Sequence, residues 1–481
     1  MTISTKTIST KTISTMPILS MAPAAPACTT RLAPETVMRH AGRAVPRYTS
    51  YPTAPHFNAD VTDRTYRNWL LAVPEGASVS LYLHIPYCDT LCWFCGCHTK
   101  ITRQYAPIQA YLSALTREID LIAEILPRSA RVTHIHWGGG SPTILAPDDI
   151  RRLADHTTER LGVASDCDFA VEVDPRGMDS ARIEALLERG LSRVSIGVQD
   201  FDPAVQAAIN RFQSVEETRA VIDQFRAGGI RSLNIDAVYG LPKQGLEQVT
   251  ATLDAVMAFR PDRLALFGYA HVPWVKRHQA MILETDLPGV VDRHAHAVAA
   301  GTQILAAGYS AIGIDHFALP TDSLAIAQRD GRLRRNFQGY TDDPADVLIG
   351  LGASAISALP AGYIQNEPAI ARYERVIESG HLAAIRGCAL SEDDRRRARV
   401  IERLMCDLSF SASGYRASFG DAAEPLIAVA ERILRDDRDG FLQATGDGFV
   451  ITETGRPFAR LVASEFDAYL AHRPGGHSLA V

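Results

Sequence analysis

The sequence predicts an α/β fold: an incomplete barrel of six parallel strands, followed by a smaller, mostly helical C-terminal domain. Three observations lead there. From residue 79 onward, short β-rich runs alternate with helical patterns of ten or more residues, the arrangement that builds a parallel sheet from βαβ units. Nearly every unusual motif lies at the C-terminal end of a candidate strand, where parallel barrels carry their reactive loops. Past residue 371 the helical pattern dominates, with one β-prone run at 448–452.

The elements follow in chain order. Residues 1–15 hold a tandem pentapeptide, Thr-Ile-Ser-Thr-Lys, and a Pro/Ala-rich stretch runs to Ala27. Such a segment buries little apolar surface, so an extension over 1–45 is expected to be partly disordered. Candidate strands are 79–85, 131–137, 168–173, 193–198, 232–238 and 264–268. Amphipathic helices are expected at 105–126, 147–161, 180–188, 215–227, 246–259 and 290–307. The catalytic domain is assigned to 46–370 and the C-terminal domain to 371–481.

A chain of 481 residues with net charge −6 has room for two cores. Its basic residues are dispersed, without the stripe that grips nucleic acid. The densest basic run, Arg395 to Arg397, falls on an amphipathic pattern at 393–405 and reads as a solvated helix face. No apolar run reaches the ~18–20 residues of a membrane span. Cys28, Cys167, Cys388 and Cys406 are scattered singly rather than framed as disulfides, which suits a reducing cytoplasm.

The chemistry concentrates in four cysteines within ten residues, Cys88, Cys92, Cys95 and Cys97, directly after the first strand. Thiols this close pair poorly as disulfides, and the first three have the spacing C-x3-C-x2-C, which suits an iron–sulfur cluster or zinc. Pro86, Trp93, Phe94 and Gly96 favour a looped cradle over a helix. Zinc sites usually draw two separated ligand pairs, and no second pair follows. Three thiolates on a [4Fe–4S] cluster leave one iron open for a ligand.

Other motifs mark the same strand ends. Gly138-Gly139-Gly140-Ser141-Pro142-Thr143 follows the second strand and lets backbone approach a ligand, or forms a tight turn. Glu172, between Val171 and Val173, points to the side of its strand opposite them. Gln199, Arg211, Asp236 and Ala270 each close a strand or loop, and each has a plainer reading as a cap or packing device. His84 and His316 sit in motif segments where they could orient ligands or donate a proton, and their plainer reading is as hydrogen-bonded core histidines.

The Cys88 to Cys97 loop resembles the signature of radical S-adenosylmethionine enzymes, and its longer form with Cys97 looks like the oxygen-independent coproporphyrinogen III dehydrogenase family. The resemblance runs from about Tyr48 to the C-terminal region. It implies a radical SAM barrel, with Cys88, Cys92 and Cys95 binding one [4Fe–4S] cluster. It also implies two molecules of S-adenosylmethionine per site. Gly139, Gly140 and Ser141 match contacts to the amino group of one, and Glu172, Tyr82 and Ile356 match contacts to its ribose. Gln199, Arg211, Asp236 and Ala270, joined by Phe94, match the second, and Cys97 is counted with the cofactor-contacting positions. Residues 48–54 and 334–340 look like segments typical of the family and suit a tetrapyrrole with carboxylates.

The implied reaction uses a 5′-deoxyadenosyl radical to take hydrogen from a propionate carbon. Carbon dioxide then leaves, an electron acceptor takes the remaining electron, and two propionates become vinyls. The implied partners are coproporphyrinogen III, a flavodoxin-like low-potential donor and an unidentified acceptor, around a monomer without nucleic-acid or membrane partners. Rival readings are a haem-trafficking relative without dehydrogenase activity, another radical enzyme that transfers methyl groups or forms rings, and a zinc protein.

Overall fold

The computed structural model describes residues 32–470; the tandem repeat, the Pro/Ala-rich stretch and Cys28 lie outside the described residues. Six strands form at the expected places: β1 (Ser78–Ile85), β2 (Arg131–Gly139), β3 (Val163–Val173), β4 (Arg193–Gln199), β5 (Ser232–Tyr239) and β6 (Arg263–Gly268). Each is parallel to the next. The helices between them include Ala106–Ile125, Pro147–Arg160, Ser180–Glu188, Val215–Ala227, Leu246–Ala258 and Val290–Ala306, all within two residues of expectation.

The strands alternate in a way that makes the barrel interior polar. In β4, Val194, Ile196 and Val198 are buried while Arg193, Ser195, Gly197 and Gln199 are only partly covered. The apolar set joins a core with Leu81, Leu83, Ile135, Val171, Ile235 and helix residues such as Leu115, Ile119 and Ile222. Period-two alternation therefore sends apolar side chains outward under the helices and polar ones inward. Side-chain caps fix several helix starts: Asp202 accepts from Ala204 N and Val205 N, and Ser214 accepts from Glu217 N.

The sheet is larger than the sequence suggested. β7 (Ser310–Ile312) and β8 (His316–Ala318) extend the β6 edge antiparallel, with β8 against β6. At the other edge β9 (Val347–Leu351) lies parallel to β1, and β10 (Ile356–Leu359), β11 (Gly362–Asn366) and β12 (Ala384–Ala389) continue antiparallel. The sheet has 12 strands and two free edges, so the barrel stays open.

β12 falls where the sequence reading expected helices. It is short and carries no apolar alternation of its own, and its partner β11 holds it in place. Later, Ser409–Ser411, Leu442–Thr445 and Gly448–Ile451 form a small sheet, of which only the last strand was expected. A second core unites Val400, Leu404, Phe410, Leu426, Phe449 and Phe466 with Tyr48 and Tyr51. The Arg395–Arg397 run is not a wholly solvated face: Arg395 pairs with Glu392, Arg396 and Arg397 pair with Asp393, and Arg397 also donates to Phe466 O at 3.0 Å.

Candidate active site

The cysteine loop leaves β1 and is pinned at both ends. Lys100 N donates to Pro86 O at 2.6 Å and Thr102 N to Cys88 O at 2.9 Å, so the chain returns beside its own exit. Trp93 N donates to Ile209 O at 2.9 Å, and the Asn210 amide donates to Leu91 O at 2.8 Å. Asn210 itself has φ +52°, a left-handed conformation that asparagine tolerates. Between these ties the loop is non-helical, as Pro86 and Gly96 require, and Cys92 is buried.

Sequence reasoning did not anticipate the clamp on the far side of this loop. A single segment after β6 meets three consecutive parts of it: Lys276 Nζ donates to Cys97 O (2.9 Å), His278 Nε2 to Cys95 O (2.8 Å) and Gln279 Nε2 to Phe94 O (3.0 Å). Gln279 is almost fully buried and also donates to Ala270 O at 3.2 Å, which joins Phe94 to Ala270 through one amide. No local pattern marks Gln279; only a turn of 3-10 helix brings it there.

The thiols sit in one another's fields. Burial, then Cys95 and Cys92, push the Cys88 thiol up to about 12. A hydrogen bond from Cys97 pulls the Cys95 thiol down, and the same bond pushes Cys97 up. Cys97 N also points at Cys95 Sγ, 3.4 Å away. Among the described residues, no three His, Cys, Asp or Glu side chains converge on a point suited to one ion. A cubane asks for something different, because each thiolate binds a different iron. Cys88, Cys92 and Cys95 on one short loop pinned at both ends suit that group better than a zinc site, which usually draws two separated ligand pairs.

Opposite the loop lies the glycine turn. Gly139 has φ +112°, and a Cβ there would stand 2.5 Å from the His84 ring. At Gly140 a Cβ would stand 2.6 Å from Tyr87 O. Both positions therefore require glycine for close packing against β1 and the loop. Gly140 N donates to Ile85 O and Ser141 N to Tyr87 O, while the Ser141 and Thr143 hydroxyls pair at 3.0 Å.

His84 links these parts. Its Nε2 donates to His98 O (2.9 Å), and burial holds the ring neutral by lowering it to about 4. The remaining Nδ1 then accepts from the Tyr82 hydroxyl at 3.0 Å. Glu172 takes Gly139 N–H at 3.1 Å and His136 Nε2–H at 3.2 Å. Burial pushes its carboxyl up, but those donors outweigh it and hold the group ionised below the usual carboxylate range. It keeps 39% of its side-chain surface, so it faces open space within the barrel. Ile356 stands beside Tyr82: Tyr82 pairs in register with Gly350, and Ile356 backbone closes over Gly350.

Farther round the rim, Asp236 accepts from Asn234 (2.7 Å) and Ser195 (3.2 Å), and burial plus the charge on Glu172 push it up to about 6. Gln199 has φ +70° and stands against Gly197 at a bulge in β4. Arg211 is buried and heavily committed. It donates to both Asp174 oxygens (3.1 and 3.3 Å), Gly197 O (2.6 Å) and Gln213 (3.0 Å), with Nη1 3.7 Å from Cys92 Sγ. Arg176, which the sequence did not single out, grips the same Asp174 and stands 3.5 Å from Cys92 Sγ. Its sequence signal was available: Glu172, Asp174 and Arg176 recur at every second residue along and beyond β3.

The structure thus gathers the expected residues in two linked groups. Tyr82, Gly139, Gly140, Ser141, Glu172 and Ile356 form one around His84. Phe94, Gln199, Arg211, Asp236 and Ala270 lie along the rim from the cysteine loop to the end of β6. Of the two remaining segments, 48–54 and 334–340, residues 48–51 and 334–337 line one cavity of about 340 Å³ that also takes in Ser80 and Asp343, and Arg335 stands 4.4 Å over the ring of Tyr340.

An open parallel barrel with a three-thiol loop after its first strand defines a radical SAM protein, and the Radical SAM superfamily model matches residues 82–256. An oxygen-independent coproporphyrinogen III oxidase of Paracoccus denitrificans (strain Pd 1222) is 46% identical over 437 residues, 91% of this chain and 96% of that protein. Its counterpart in Pseudomonas aeruginosa is 40% identical over 88% of this chain and 93% of its own length. The solved coproporphyrinogen III oxidase HemN of Escherichia coli, described as a radical SAM enzyme, superposes with a TM-score of 0.84 at 38% identity, covering 88% of this chain and 98% of that one. The chain belongs to the oxygen-independent coproporphyrinogen III oxidase family.

Proposed function

We propose that this chain catalyses the anaerobic oxidative decarboxylation of two propionates of coproporphyrinogen III to vinyl groups, giving protoporphyrinogen IX. The observation that carries the reading is the convergence of the three-cysteine loop, the glycine turn and Glu172 on one rim of a family-typical barrel. When bound, a [4Fe–4S] cluster on Cys88, Cys92 and Cys95 supplies the electron that cleaves S-adenosylmethionine.

The chain's own residues bind, orient and exclude water, because a carbon radical needs placement more than a general base. Glu172 offers its ionised carboxylate to ribose hydroxyls, with Tyr82 and Ile356 bounding the same space. Gly139, Gly140 and Ser141 let an amino-acid moiety approach the backbone. A second S-adenosylmethionine is proposed along Phe94, Gln199, Arg211, Asp236 and Ala270, with Cys97 among the cofactor-contacting positions. Residues 48–54 and 334–340 are proposed to meet the tetrapyrrole, because both segments mix aromatic rings with hydrogen-bonding groups.

Residues 46–370 are proposed as the catalytic domain and 371–481 as a smaller domain covering the barrel's open side; the second core supports a separate C-terminal unit from Val400 onward, whereas Tyr373, Ile377 and β12 pack with the main core and sheet. A low-potential donor such as flavodoxin and a separate electron acceptor are required. Seven free cysteines among the described residues support a reducing cytoplasm, and none of the described helices is long and apolar enough to cross a membrane. A monomer is proposed. Anaerobic turnover with coproporphyrinogen III, reductant and S-adenosylmethionine, read by mass, is expected to give a product that has lost carbon dioxide and two hydrogen atoms from each of two propionates. Bound haem with no vinyl product, or a heavier methylated product, would overturn the reading.

A further inference from the structure

Cys92 differs from the other two candidate ligands in its surroundings. It is buried, and two guanidinium groups face its sulfur: Arg176 Nη2 at 3.5 Å and Arg211 Nη1 at 3.7 Å. Both are held by a single carboxylate. Asp174 accepts from Arg176 Nη2 (2.6 Å) and Nε (2.9 Å), and from Arg211 Nη1 (3.1 Å) and Nη2 (3.3 Å). Arg211 is further fixed on Gly197 O and Gln213, so neither guanidinium is free to swing away. The bracket carries two positive charges against one negative, and its uncommitted side meets sulfur.

We propose that Arg176, seated by Asp174 beside Arg211, is a positioning residue that sets the reduction potential of the cluster through Cys92. The inference rests on the proposed ligation of a [4Fe–4S] cluster by Cys88, Cys92 and Cys95. Reduction adds one negative charge, spread in part over the ligand sulfurs. An N–H aimed at a sulfur stabilises that extra charge, and hydrogen bonds to sulfur are among the levers that raise cluster potentials. A charged donor does so more strongly than a neutral one. Arg176 is the more separable member, since Arg211 also serves the backbone of β4 while the Arg176 side chain, among the described residues, hydrogen-bonds to Asp174 and Cys92.

The test is an EPR-monitored redox titration of full-length, anaerobically reconstituted protein without S-adenosylmethionine, comparing wild type, Arg176→Gln and Arg176→Lys. Arg176→Gln is expected to retain full iron yet lose about tenfold in the equilibrium constant for one-electron reduction, ~59 mV to the negative side. Arg176→Lys, which keeps charge without the planar fork, should fall between. In wild type carrying ¹⁵N-arginine, pulsed EPR should detect arginine nitrogen coupled to the reduced cluster, and the coupling should weaken in Arg176→Gln.

An unchanged potential in iron-replete variants overturns the proposal and leaves the proposed function standing. Loss of iron in both variants overturns it too, since Arg176 would then serve cluster loading. A wild type with no reducible cluster would instead bring down the functional reading itself.

Discussion

The two ends of the barrel interior use the same residue types to opposite effect. At the entry ends of the strands, Arg193 pairs with Asp342, Arg263 with Asp322, and His134 with Asp343, which also holds the Ser80 hydroxyl. Arg193 and Arg263 there lie against Asp342 and Asp322, with Arg263 also 3.9 Å from Asp342, so two guanidinium groups meet two carboxylates, and the anions come from the loops that follow β8 and precede β9. At the exit ends, Arg176 and Arg211 share one Asp174, and their remaining surface faces a thiol. Self-paired charges plug the floor; a positive excess beside sulfur marks the end built for something the chain does not itself supply.

If the rim holds the chemistry, its ligands are indispensable. Cys95→Ala should give no detectable product and no stable cluster, read as iron content and visible absorbance. Cys97→Ser should keep its iron while turnover falls, because the fourth cysteine stands outside the ligand set.

The floor should behave in the reverse sense. Asp322→Asn takes from Arg263, whose side chain is 11% exposed, the carboxylate at its Nε and leaves it only Asp342 at 3.9 Å. Breaking a buried pair this way costs about 3–5 kcal/mol, so denaturant midpoints should drop while the EPR spectrum of the reduced cluster stays unchanged. A spectral change in that variant would mean the two ends are coupled.

Gly139→Ala probes the rim without touching a ligand. The added methyl meets the His84 ring, which Tyr82 and His98 O hold in place. Binding of S-adenosylmethionine, measured by anaerobic calorimetry, should weaken at least about tenfold, roughly 1.4 kcal/mol, with cluster content near normal.

A separate effect, on stability rather than chemistry, lies outside both ends. Glu118 is buried beneath β9, accepting from Tyr373 (2.7 Å), Gly352 N (2.6 Å) and Asn366 (2.7 Å). Burial outweighs these bonds and pushes its carboxyl up to about 7. The folded state then keeps a proton that the unfolded chain releases near pH 4.5, so stability from this group declines as pH rises from about 4.5 to about 7 and is flat above. The span is on the order of 3 kcal/mol. Glu118→Gln should erase it, and the variant's melting temperature relative to wild type should climb between pH 5 and pH 8.

What was legible in the sequence follows from how local each signal is. The six barrel strands and their helices carry period-two and 3.6-residue patterns of their own, and the cysteine loop and glycine turn carry unusual residues at fixed spacing. β9 to β12 were harder to read: β9 is a five-residue apolar run and β10 to β12 are short, and their places in the sheet are fixed by pairing with β1 and with one another. Gln279 and Arg176 escaped notice for a related reason. A buried amide that ties Phe94 to Ala270, and a guanidinium that reaches Cys92 across 84 positions of chain, declare themselves only once the loops are folded together.

The most direct check is the EPR spectrum of the reduced, reconstituted protein recorded with and without S-adenosylmethionine. Three protein thiolates leave one iron open, so adding the cofactor should alter the cluster signal. A signal indifferent to the cofactor, or protein that takes up no iron, would contradict the account.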